Sequence, residues 1–165
     1  MNNNFKMPVI LIGNSFKYEI EATLKLFFHE NRFAFSDDIN DAAGDNYVIA
    51  AVQNDTEISA QIMLDGKLST LDASLDTPVS ADKDTAEHEL CRLIYRILSE
   101  RTGIRPPWGL MTGIRPVKKF VELIRQDMSR EQIYDRLSQK YEISPEKLNI
   151  GYITAENQLP ILDRI

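Results

Sequence analysis

The spacing of apolar positions changes several times along the chain. Val9-Ile10-Leu11-Ile12 is continuously apolar, as a short buried strand requires, and Gly13-Asn14 turns the chain. Phe16, Ile20, Leu24, Phe27 and Phe28 then fall at helical spacing, with Asn14 or Ser15 available as N-cap. Phe33-Ala34-Phe35 reads as a brief strand before an acidic loop at 37–46. Tyr47–Val52 favours β structure, and Ile58, Ala60, Ile62 and Leu64 alternate as a half-buried strand does. Asp65-Gly66 is a strong hairpin signal, and the return strand carries Leu71, Ala73 and Leu75 on one face. The expected result is a three-stranded antiparallel meander across 47–75.

Past Pro78 the period becomes helical. Ala86, Leu90, Leu93, Ile94, Ile97 and Leu98 form one stripe, with Asp82 or Asp84 to cap it and Gly103 to end it. Pro116 suits the first turn of a helix whose stripe is Val117, Phe120, Val121 and Ile124. Ser129 and Gln132 make a capping box for a helix that turns Ile133, Leu137 and Tyr141 inward. Ser144-Pro145 opens another, about 145–158, with Leu148, Tyr152, Ala155 and Leu159 on one side. The fold class is α+β: a small antiparallel sheet with two covering helices, then an all-helical segment of about three helices. The division is an α+β domain at 1–100, a shaped Gly/Pro/Arg loop at 101–115, and a helical subdomain at 116–165 ending in a linker stub.

Composition narrows the chemistry. The 165 residues are 43% hydrophobic and 27% charged, enough for a real core. No apolar run reaches the 18 or more residues of a membrane span, and the start lacks a secretory pattern, so a cytoplasmic protein is expected. Cys91 is the single cysteine, which excludes an internal disulfide and any cysteine-rich zinc or iron–sulfur site made by this chain alone. It falls inside a helical apolar stripe and reads as a core residue. His29 and His88, both on expected helices, have no metal-ligand spacing. The net charge of −6 is unevenly spread: residues 1–100 carry a net of −9 and residues 101–165 a net of +3. Within 101–119 stand Arg101, Arg105, Arg115, Lys118 and Lys119 and no acid, a local basic patch that points to a specific anionic partner.

That patch lies in an unusual stretch. Thr102-Gly103-Ile104-Arg105-Pro106 returns as Thr112-Gly113-Ile114-Arg115-Pro116, and Pro107-Trp108-Gly109 between them holds the only Trp. Glycines at 103, 109 and 113 allow positive φ, and prolines at 106, 107 and 116 fix their neighbours. Two readings stay open. In one, Trp108 plugs a junction between subdomains while the arginines pair with the acidic first half. In the other, Arg105, Arg115, Lys118 and Lys119, with Trp108 as spacer, form an anion- or partner-binding site at a helix start.

The stretch Arg101-Thr-Gly-Ile-Arg-Pro-Pro-Trp-Gly-Leu-Met-Thr-Gly-Ile-Arg-Pro-Val-Lys-Lys resembles a signature of the oxygen-independent coproporphyrinogen III oxidase-like proteins, or coproporphyrinogen dehydrogenases, of the radical-SAM superfamily. Asp127-Met-Ser-Arg-Glu-Gln132 and Ser144-Pro-Glu-Lys147 match in order and spacing, so the resemblance covers roughly 98–160. In that family this region precedes a catalytic domain. There, three cysteines hold a [4Fe–4S] cluster that cleaves S-adenosylmethionine to start oxidative decarboxylation of propionate side chains in haem biosynthesis. The resemblance implies that cluster and S-adenosylmethionine for a parent enzyme; this chain departs from the pattern, because Cys91 stands alone, and no cofactor, metal or catalytic residue is expected in it. The implied partners are the parent's own C-terminal radical-SAM domain and a porphyrinogen bound through its carboxylates. A rival reading sees residues 129–140 and 145–158 as a helix-turn-helix. The would-be recognition helix offers Lys147 against Glu146 and Glu156, which argues against nucleic acid. A stand-alone anion-binding module remains the alternative.

Overall fold

The computed structural model describes residues 6–29, 32–112 and 115–164. They gather into two compact units, Met1–Ile104 and Arg105–Ile165. In the first, β1 (Lys6–Ile12), α1 (Lys17–Lys25) and β2 (Arg32–Ser36) form a parallel crossover, with Val9 opposite Phe35. On its other side β1 pairs in parallel with β3 (Tyr47–Gln53), Val9 opposite Val48. Then β4 (Glu57–Leu64) and β5 (Lys67–Ser74) follow in antiparallel register, giving the order β2-β1-β3-β4-β5. The unit is α+β, and the expected meander forms its antiparallel part. The sheet as a whole is mixed, because residues 13–31 are long enough to carry the chain back for a parallel pairing.

Burial follows the strand positions. The central β1 and β3 are apolar almost throughout, whereas β4 alternates, burying Ile58, Ala60, Ile62 and Leu64. The helix α2 (Lys83–Thr102) packs on β4 and beside α1, where the rings of Phe27 and Tyr95 meet edge to face at 5.6 Å. Asp82 caps α2 by accepting from the Thr85 N–H at 3.1 Å, and Gly103 ends it with φ 71°. For α1 neither expected cap is used. The N-cap residue is Phe16, and Asn14 instead accepts from the Phe16 N–H and donates to the Ile12 and Ala50 carbonyls. It thereby ties the end of β1 to β3. The helix stops at Lys25, so His29 lies beyond it.

Arg101 belongs to the last turn of α2 rather than to a loop, as does Thr102. Its guanidinium donates to the Leu64 and Lys67 carbonyls and to Ser69 Oγ, each at 2.9 Å, locking the β4–β5 hairpin to the helix. One of the five basic residues in 101–119 is therefore committed to structure.

Between α1 and α2, Cys91 is buried and its thiol is pushed up to about 12, chiefly by desolvation. Glu87 nearby is pushed above the ordinary glutamate range by burial, then by the Glu19 and Asp84 charges. The folded state thus holds this proton more tightly than the unfolded chain does. The ionised carboxylate costs stability above the glutamate range, and the cost lifts as pH falls through the folded value. Glu87→Gln is expected to raise the melting temperature slightly at about pH 7 and to lose that gain towards about pH 4, measured by thermal unfolding.

The second unit holds α3 (Pro116–Arg125), α4 (Arg130–Tyr141) and α5 (Pro145–Leu162). Its core is Phe120, Val121, Leu123, Ile133, Leu137, Ile143, Leu148 and Ala155. Pro116 stands in the first turn of α3, Ser129 and Gln132 close a reciprocal capping box on α4, and Ser144 caps α5. The last helix runs past the expected 158, through Pro160 to Leu162. A proline this near the C-terminus removes one ladder bond, and the following turn is still closed by Asp163 N–H to the Leu159 carbonyl at 3.0 Å. Among the described residues no strand follows Pro78, and no helix is long and apolar enough to cross a membrane.

Candidate functional site

Pro106–Met111 forms a tight double turn: the Gly109 N–H reaches the Pro106 carbonyl at 2.8 Å and the Met111 N–H the Trp108 carbonyl at 3.0 Å. Two further bonds pin this turn to the α4–α5 connection. The Leu110 N–H donates to the Tyr141 carbonyl at 2.7 Å, and the Ser144 N–H to the Pro107 carbonyl at 2.9 Å. Gly109 has φ 54°, and a Cβ there would overlap the Tyr141 carbonyl oxygen and lie 2.6 Å from that of Glu142. Only glycine lets the two backbones approach so closely. Trp108 is half-buried against the core of this unit, and Lys147 Nζ sits 5.5 Å from its ring centre.

The five candidate residues are distributed around this turn and the start of α3. Arg115 is the N-cap residue of α3, with no side-chain capping bond, and its carbonyl accepts from the Lys118 N–H at 3.1 Å. Arg105, Arg115 and Lys118 are exposed, and no ion pair or side-chain hydrogen bond joins them to another described residue of their unit. Lys119 differs: it is half-buried and its ammonium lies 3.5 Å from Glu122. Arg115 and Lys118 share a groove of about 620 Å³ with Val117, Val121, Glu122, Arg125, Gln158 and Leu162. Arg125 is itself paired with Asp163 at 2.8 Å. The structure therefore brings Arg115 and Lys118 together, sets Trp108 against Lys147 at the neighbouring turn, and diverts Lys119 to a carboxylate. Gly113 and Ile114, in the second copy of the repeated pentapeptide, lie outside the described residues.

Chemically, the arrangement offers exposed cations on a short, shaped frame. An ammonium beside an indole and exposed guanidinium groups can receive carboxylates, and guanidinium does so bidentately. Among the described residues, no group of three or more His, Cys, Asp or Glu side chains is placed to hold a metal ion.

A second basic feature was not anticipated. The Arg130 guanidinium lies over two rings, 5.3 Å from Tyr134 and 4.9 Å from Tyr152. Its Nε donates to the Tyr134 hydroxyl at 3.0 Å, and it also donates to Asn149 Oδ1. Spacing of i, i+4 was a readable signal for the Arg130–Tyr134 contact; the contribution of α5 was not. The helix-turn-helix reading loses its one cation, because Lys147 packs over Trp108, while α5 exposes Ile150 and Ile153.

No family model matches the chain, and no solved structure matches it significantly. A stretch of 63 residues, 38% of the chain, is 36% identical to the oxygen-independent coproporphyrinogen-III oxidase-like protein HemZ of Bacillus subtilis (strain 168). The matched stretch spans 13% of that protein's length. The similarity supports a relationship to coproporphyrinogen oxidase-like proteins over that stretch.

Proposed function

We propose that this chain is a non-catalytic N-terminal portion of an oxygen-independent coproporphyrinogen III oxidase-like protein, and that its exposed cations dock a radical-SAM catalytic domain. The partial identity to HemZ is the observation that carries the reading. The exposed Arg105, Arg115 and Lys118 give it a surface. An acidic face of the catalytic domain is the preferred partner; the propionates of a porphyrinogen fit the same cations and are the second option. Arg105 and Arg115 are the contact residues, Lys118 extends the patch, Trp108 holds the turn in shape, and Lys119 contributes less because Glu122 partly neutralises it.

A radical-SAM [4Fe–4S] cluster does not fit this chain. Such a cluster takes three thiolates, and the sequence supplies one, buried and held as the neutral thiol far above neutral pH. The chain purified anaerobically with iron and sulfide is expected to gain no iron–sulfur absorbance near 400 nm. A stable cluster at one per chain would contradict the reading.

A further inference from the structure

Strand β5 is the last strand on its side of the sheet and carries few of the devices that normally protect such an edge. It is eight residues long, contains no proline, and keeps unbroken register with β4 from Leu64–Lys67 to Glu57–Ser74. Between Leu68 and Ser74 its one charge is Asp72. The opposite edge, β2, is shorter at five residues.

The direction of its free hydrogen-bonding groups follows from the turn. Asp65 and Gly66 have φ 48° and 75°, which makes Asp65-Gly66 a type I′ turn and Leu64–Lys67 the hydrogen-bonded pair closing it. Alternation then aims the N–H and C=O of Lys67, Ser69, Leu71 and Ala73 at β4. Those of Leu68, Thr70, Asp72 and Ser74 point away from the sheet, and all four residues are exposed. Leu68 and Leu71 are 53% and 37% exposed.

We infer that β5 is the edge through which two copies of this chain pair, antiparallel, about a two-fold axis at Leu71. The occupant is a second copy because the strand is complementary to itself in one register. A two-fold axis normal to the sheet must bring outward-bonding residues opposite one another, and to pair at least three of the four within the strand it must pass through Thr70, Leu71 or Asp72. Through Asp72 it would set two carboxylates face to face. Through Thr70 it would set Leu68 against Asp72 of the other copy. Through Leu71 it sets Thr70 against Asp72, hydroxyl to carboxylate, and Leu68 against Ser74. Leu71 then meets its own counterpart in a non-hydrogen-bonded pair, where side chains approach most closely. The pairing joins two five-stranded sheets into one and covers Leu71.

Sedimentation equilibrium of the 165-residue chain from about 10 µM to about 1 mM tests this. A species of twice 18.9 kDa is expected. Thr70→Pro removes an outward N–H without touching the β4 ladder and should weaken the dimer at least about tenfold, with the circular dichroism spectrum unchanged. In a Cys91→Ser background, Leu71→Cys should form an intermolecular disulfide under mild oxidation, whereas Ser69→Cys, opposed to Ala73, should not. A monomer at every concentration, a dimer indifferent to Thr70→Pro, or cross-linking at 69 in place of 71 would each overturn the inference.

Discussion

Replacing Gly109 by alanine is expected to destabilise the Arg105–Ile165 unit by about 3 kcal/mol or more. Two costs combine. A φ of 54° is unfavourable for alanine by about 1 kcal/mol. The added Cβ must also displace the Tyr141 carbonyl, breaking the bonds Leu110–Tyr141 and Ser144–Pro107, at about 1 kcal/mol each. Gly103→Ala is the control: φ is similar at 71°, nothing lies within 4 Å of the new Cβ, and the expected loss is about 1 kcal/mol. Urea unfolding followed by Trp108 fluorescence, the single indole, reads the Gly109 variant in the second unit, and far-ultraviolet circular dichroism reads the Gly103 variant at the end of α2 in the first. Equal losses for the two variants would show that the clip between the 106–111 turn and the α4–α5 connection does not hold the unit together.

Phe120→Ala is expected to cost about 3–5 kcal/mol, the usual range for removing a buried aromatic ring. Phe120 has no solvent exposure, and its ring edge faces Gly151, where a Cβ would overlap the ring. That contact sets how closely α3 and α5 approach. Gly151→Ala alone should cost about 1–3 kcal/mol by overpacking. Combined with Phe120→Leu, which clears the space, it should cost less than the sum of the two single changes. Additive losses in a double-mutant cycle would mean that the two positions do not share one packing constraint.

Local signals made much of this fold readable. Asp65-Gly66 sets a type I′ hairpin by its own φ preferences, Ser129 with Gln132 closes a cap within one turn, and Asp82, Gly103 and Pro116 mark helix ends through residue-specific chemistry. Each needs no partner from elsewhere in the chain. What depends on distant partners was harder to see. Phe33–Phe35 becomes a parallel strand only because α1 returns the chain beside β1. Asn14 spends its side chain on Ala50, 36 residues on, and leaves α1 without a polar cap. The same division runs through the candidate site. Its glycines, prolines and cations were visible in sequence, but Arg101 proved to be a hairpin clamp and Lys119 a partner of Glu122. The Gly109–Tyr141 approach, which explains why the turn needs glycine, joins residues 32 positions apart.

The central claim is that the exposed arginines dock a radical-SAM catalytic domain. Isothermal titration of this chain into the separately produced catalytic portion of a coproporphyrinogen oxidase-like protein measures it directly. Binding should weaken as salt rises, and the pair of changes Arg105→Gln and Arg115→Gln should reduce affinity by about 10- to 100-fold, through loss of charge-assisted contacts. The melting temperature of the isolated chain should stay the same, because exposed charge changes cost within about 0.5 kcal/mol. No measurable binding, or binding indifferent to both arginines, would contradict the claim, and unfolding of the double variant would make the arginines structural.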